Sequence, residues 1–134
     1  MQLDQLKEIL NCEVFNPEVC KQGKNIQYAF CADLMSDALM LVRRAVDEAG
    51  EMGLLITGLA TNQSVRTAEM LDIDIVVLVR GKQPTQAMID LATDSDILLL
   101  GSNLGMYSSS GKLFTAGLKG IEECTADGVC NIMR

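Results

Sequence analysis

Three short stretches of the sequence carry residues suited to one kind of chemistry: Thr57-Gly-Leu-Ala-Thr61-Asn62, Arg80-Gly-Lys-Gln-Pro84-Thr85 and Gly101-Ser102-Asn103. Each joins a glycine, which lets a ligand come close to the backbone, to hydroxyl or amide side chains of the kind that begin helices. Free N–H groups at a helix start favour an anion, and Arg80 and Lys82 add positive charge. The candidate ligand-binding set is therefore Thr57, Gly58, Thr61, Asn62, Arg80, Gly81, Lys82, Ser102 and Asn103. The ligand this chemistry suits is a small anion, a nucleotide or a phosphorylated metabolite. The same residues are also the caps and turn formers that any α/β domain needs at such places, so an architectural role stands beside the binding one.

The remaining reactive residues do not assemble into a known catalytic pattern. There is no histidine, which removes Ser-His-Asp and Cys-His arrangements and the commonest general base at neutral pH. A phosphate loop needs G-x-x-x-x-G-K-[S/T]. The nearest approach, Gly105 to Leu113, has one residue too many before Gly111-Lys112 and a leucine where the hydroxyl belongs. Gly101-Ser-Asn-Leu-Gly105 likewise lacks the spacing of a dinucleotide fingerprint. Cys12 and Cys20 are seven residues apart and Cys124 and Cys130 five, wider than the C-x₂₋₄-C pairs of structural zinc sites. The carboxylate pairs Asp33/Asp37 and Asp94/Asp96 read as acidic helix starts or solvated loops. No catalytic residue, metal ligand or cofactor is assigned, and a binding or regulatory role is expected in place of an enzymatic one.

The elements that must hold these turns can be read from hydrophobic periodicity. Leu3, Leu6, Ile9 and Leu10 share a face and predict a short amphipathic helix, followed by a short strand near Cys12 to Phe15. Asn16-Pro17 breaks the pattern, and Ile26 to Cys31 reads as a second strand. A helix is expected from Asp33 to Ala49, ended by Gly50 and Gly53. Beyond it, Leu54–Thr57, Ile73–Val79 and Ile97–Leu100 are apolar runs of strand length, separated by helical segments at about Gln63–Leu71 and Thr85–Thr93. These make two β-α-β units and call for a parallel sheet with right-handed crossovers, covered on both faces. A last helix, Asn103 to Ala116, is expected to turn Leu104, Tyr107, Leu113 and Phe114 inward and to end at Gly117. The fold class is thus α/β: a single three-layer-like domain with a mostly parallel central sheet and crossover helices. The domain is expected to occupy residues 1–120, with 121–134 a C-terminal tail without periodicity and a candidate for disorder.

The 134 residues suit one domain, 49% of them hydrophobic and 22% charged. A formal net charge of −7 argues against nucleic acid and anionic membranes, whose binding depends on Lys and Arg. No apolar run approaches the roughly 20 residues that span a bilayer, and the first ten residues do not resemble an export signal. Five cysteines, an odd number, then point to reduced thiols and a cytoplasmic location. Aliphatic, methionine-rich helices on a small acidic domain could leave an exposed apolar patch, so a homodimer and a protein partner are expected.

In the regular half, the order strand-Thr57-Gly, helix, strand-Arg80-Gly-Lys-Gln-Pro84, helix, strand, and then Gly-Lys-Leu-Phe-Thr-Ala-Gly-Leu resembles the DRTGG-domain family. Ala32-Asp-Leu-Met-Ser-Asp37 is similar to that family's turn into its first long helix, so the resemblance runs from about Leu3 to Gly120. The residues that name the family do not occur as a run; Arg80-Gly81 alone stands in a comparable turn. The family includes stand-alone proteins, regulatory inserts beside CBS domains in some pyrophosphatases, and relatives of the N-terminal domain of HPr kinase/phosphorylase. What the resemblance implies is a dimeric regulatory domain without catalysis of its own.

Overall fold

The computed structural model describes residues 1–23, 25–36 and 52–120. Their elements run α1 (Leu3–Leu10), β1 (Glu13–Val14), β2 (Ile26–Cys31), β3 (Met52–Thr57), α2 (Asn62–Met70), β4 (Ile75–Leu78), α3 (Gln86–Asp94), β5 (Leu98–Gly101), α4 (Met106–Thr115) and β6 (Lys119–Gly120). The strands form one six-stranded sheet in the order β1-β5-β4-β3-β2-β6. All neighbours are parallel except β1, which runs antiparallel to β5. The α/β class and the mostly parallel sheet expected from the sequence are what the fold contains. The chain turns helical at residues 35 and 36; the rest of the helix expected to Ala49, and the tail expected at 121–134, lie outside the described residues.

Alternation within the strands divides the core into two. Leu55, Val76, Leu78 and Leu99 point to one face, where Val65 and Ala68 of α2 and Met88 and Ala92 of α3 cover them. Leu54, Ile56, Ile75, Val77 and Leu100 point to the other, under Leu3, Leu6 and Leu10 of α1 and Leu113 of α4. Because both faces are covered, β3, β4 and β5 are buried at every position, which explains their unbroken apolar runs. The sides follow from handedness. Steps from β3 to β4 and from β4 to β5 go one way across the sheet. The step from β5 to β6 returns across it, so right-handed crossovers put α4 on the opposite face from α2 and α3.

The last helix departs from the expectation. It begins at Met106, not Asn103, and its inward residues are Ser109 and Leu113, while Tyr107 is 92% and Phe114 63% exposed. Helical phase accounts for this: Ser109 and Leu113 lie four apart and define the buried stripe, and Tyr107 and Phe114 fall roughly 100° or more to one side of it. Apolarity favoured the aromatic residues, but the space against the sheet takes a serine. Strand β6 follows Gly117, whose φ of +100° ends the helix as expected. No apolar or alternating run in the sequence marks that strand.

One side chain extends the sheet at its β1 edge. Phe15 N–H donates to Leu99 O at 3.0 Å, and Pro17 then has no N–H to continue the ladder. Asn16, fully buried, takes the place of the missing peptide: its Nδ2 donates to Ile97 O at 2.8 Å and its Oδ1 accepts from Leu99 N at 2.7 Å. Lys21, 2% exposed, then anchors the following loop to Asp74 at 3.4 Å and Asp96 at 3.1 Å. Truncating Asn16 leaves a buried donor and a buried acceptor unmatched, at about 1–3 kcal/mol each. Asn16→Ala is therefore expected to lower unfolding free energy by about 2–4 kcal/mol in urea titrations, whereas a loss below about 1 kcal/mol would show that water replaces the amide.

Candidate functional site

The register of the sheet sets the three turns at one level. Thr57 of β3 stands opposite Leu78 of β4, and Leu78 opposite Gly101 of β5. The turns therefore leave the carboxyl ends of three adjacent parallel strands, where ligands of such sheets bind. Strands β3 and β4 lead to helices on one face and β5 to a helix on the other, so the topological switch point falls between β4 and β5.

That crevice is closed by the protein itself. Arg80 N donates to Leu104 O at 2.8 Å and Gly81 N to Ser102 O at 2.9 Å. Ser102 is buried, its hydroxyl donating to Leu10 O at 2.8 Å and accepting from Leu104 N at 3.2 Å. It therefore ties the end of α1 to the β5 turn. Asn103 is exposed beside Gly81: a Cβ on Gly81 would stand 3.1 Å from Asn103 Oδ1. Three of the nine sequence candidates, Gly81, Ser102 and Asn103, thus belong to a seam between two turns.

A second group forms one strand further along. Arg80 and Gly81 have φ of +61° and +67°, and Lys82 N donates to Val79 O at 3.3 Å. Two consecutive positive φ values across such a bond make a turn of the primed type, in which arginine at the first position is unfavourable by about 1 kcal/mol. The Arg80 guanidinium lies directly over Gly58, in space that any side chain there would occupy. It reaches within 3.8 Å of Asp33 Oδ2. Asp33 Oδ1 accepts from Gly58 N at 2.6 Å and from Thr57 Oγ1 at 3.4 Å, while Thr57 Oγ1 accepts from Leu59 N at 3.1 Å. A carboxylate is thus held by a backbone N–H, a hydroxyl and a guanidinium, a donor set that suits any small oxyanion.

Asp33 is the residue that sequence reasoning placed elsewhere, as an acidic helix start. The signal lay in the strand order. Cys31 pairs with Ile56, so the residue two beyond Cys31 comes beside the residue two beyond Ile56, which is Gly58. Thr61 and Asn62 form the start of α2, exposed, and Thr61 makes no side-chain cap. By contrast Thr85 caps α3 by accepting from Met88 N at 3.2 Å. Lys82 is exposed and has no ion pair among the described residues.

No protein-family model matches the chain, and no curated protein matches it. A solved structure of the CBS and DRTGG domains of the regulatory region of Clostridium perfringens pyrophosphatase, complexed with the activator diadenosine tetraphosphate, aligns with a TM-score of 0.58. Identity is 17%, over 84% of this chain. What the two share is the fold. This chain spans 45% of that structure, less than half its length. No described helix is long and apolar enough to cross a membrane.

Two measurements follow from this geometry. Arg80→Gly removes an exposed ion pair worth about 0–1 kcal/mol and relieves a left-handed backbone position of similar cost. Its stability in urea is expected within about 1 kcal/mol of the parent, and a larger loss would make Arg80 a structural residue. Among the thiols, Cys12 is half-buried and burial pushes its pKa from about 9 to about 11, with Lys7 acting in the opposite sense. Alkylation at pH 8, mapped by mass spectrometry, is expected to be at least about ten-fold slower at Cys12 than at exposed Cys20. The unfolded thiol ionises first as pH rises, so this contribution is full below pH 9 and falls between 9 and 11.

Proposed function

We propose that this chain is a non-catalytic regulatory domain that senses a small anion, a nucleotide or phosphorylated metabolite, at the turns after β3 and β4. The observation that carries the reading is the Asp33 carboxylate held by Gly58 N–H and the Arg80 guanidinium. Those donors are arranged for an oxyanion, and the group they now hold is one that the chain itself supplies. An incoming phosphate competes with Asp33 for them, with Lys82 adding charge from the same turn and Thr61 and Asn62 offering the uncapped start of α2.

Competition of this kind has a route into the fold. Asp33 stands two residues before Met35, which is 2% exposed in the core against α2 and α3. Releasing the carboxylate frees the segment that leads into the helix beginning there, so occupancy of the turn changes the restraint on a core residue. The likeness to a regulatory region crystallised with an activator nucleotide supports this reading.

A second reading, an adaptor that works as a homodimer through protein partners, is favoured by the exposed Leu34, Met70, Tyr107 and Phe114. The two are compatible, since a sensor needs an output surface. In both the protein is read as a cytoplasmic regulator, a location that its odd number of cysteines favours.

Isothermal titration with a panel of nucleotides and sugar phosphates tests the first reading. Arg80→Ala and Lys82→Ala are expected to abolish binding while circular dichroism stays unchanged. Asp33→Asn, which removes the competing charge, is expected to tighten it by about two- to five-fold, the worth of one exposed ion pair. Unchanged affinity in both the arginine and lysine variants would remove the site.

A further inference from the structure

An apolar recess of about 500 Å³ opens beside α4 on the face that α4 shares with α1. Ala29, Cys31 and Ile56 line it from the sheet, and Leu118 and Gly120 from the approach to β6. On the helix side it is lined by Ser108, Leu113 and four further residues, Tyr107, Ser110, Gly111 and Phe114. These last four follow the spacing i, i+3, i+4, i+7 and so form one stripe along α4.

The stripe has a symmetry of its own. Tyr107 and Phe114 stand at its ends, 92% and 63% exposed, and the two central residues are small. A Cβ on Gly111 would meet nothing within 4 Å, so the middle of the stripe is open to close approach. A twofold axis passing between Ser110 and Gly111 brings Tyr107 beside the Phe114 of a second copy, and Phe114 beside its Tyr107, because each lies 3.5 residues from that midpoint. An isologous contact needs protrusion and recess on the same surface, related by such an axis. Here the protrusions are the two rings and the recess adjoins them.

We propose that two copies of this chain associate through antiparallel α4 helices, each copy placing Tyr107 and Phe114 against the other's recess. This names the surface for the homodimer reading and rests on it. The area agrees. Four rings of about 150–250 Å² each, at these exposures, bury about 600 Å², and because each ring lies partly on another ring the recess surfaces add less than that again, for about 1,000 Å² in all. That is the lower end of specific interfaces, and aromatic anchors carry most of the affinity in those. Cys31, whose Sγ lies 3.0 Å from Ser110 Oγ at the recess, comes under cover when the second copy arrives.

Sedimentation velocity on the full chain, over roughly 1–100 µM where an interface of this size dissociates, reads the assembly directly. The parent is expected to dimerise. Tyr107→Glu and Phe114→Glu are each expected to weaken the dimer at least about thirty-fold, with circular dichroism unchanged. Met70→Glu, an exposed apolar position on the opposite face, is expected to leave it intact. Cys31 alkylation is expected to slow as concentration rises. A parent chain that stays monomeric throughout overturns both this surface and the homodimer reading. A dimer that survives both aromatic substitutions overturns the surface alone. Cys31 protection that does not change with concentration means the recess is filled within one chain, and also overturns it.

Discussion

Two backbone hydrogen bonds between turns, Arg80 N–H to Leu104 O and Gly81 N–H to Ser102 O, decide how the carboxyl edge of the sheet can be used. In an open parallel sheet the natural crevice lies where neighbouring strands send their helices to opposite faces. Here that place is between β4 and β5, and the two bonds fill it with main chain. The same bonds fix the turn in which Arg80 takes a positive φ, and that conformation lays the guanidinium back over Gly58 toward Asp33. Closing one crevice thereby builds the donor set beside it. The hydroxyl of Ser102 supports the arrangement from below, since its bond to Leu10 O holds α1 against the β5 turn.

How far the sequence reveals this depends on the kind of interaction. Buried strands declare themselves, because β3, β4 and β5 have no polar side to interrupt Leu54–Ile56, Ile75–Val79 and Leu98–Leu100. The three turns were legible for the same reason, being the polar intervals that such strands leave. Asp33 was not, because its partner lies 25 residues away and is reached only through the pairing of β2 with β3. Helix α4 misled because two large aromatic residues suggest burial, while the phase that packs is set by Ser109 and Leu113. Strand β6, two residues long, is too short to carry a period of its own.

The two halves of the core have different neighbours. Tyr28, Phe30 and Met35 belong to the half of the core that α2 and α3 share, and this is the face joined to Asp33 through Met35. On the other, α1 and α4 cover the sheet and leave β2 exposed at Cys31. A ligand at the turns and a partner at α4 would therefore meet opposite sides of the same β2 strand. Its alternating residues are the shortest physical path between them, although a path of contacts becomes coupling only where the intervening element has two arrangements.

Among the described residues both borders of the sheet are short. β1 contributes two residues and β6 two, and where β1 stops, the Asn16 amide occupies the hydrogen-bonding positions of β5 that an incoming strand would need. Free edges are templates for strand addition and for fibril growth. A sheet whose β5 edge is terminated by a side chain in place of more backbone offers no ladder there to extend. The protein is guarded against recognition by an extended peptide at that border.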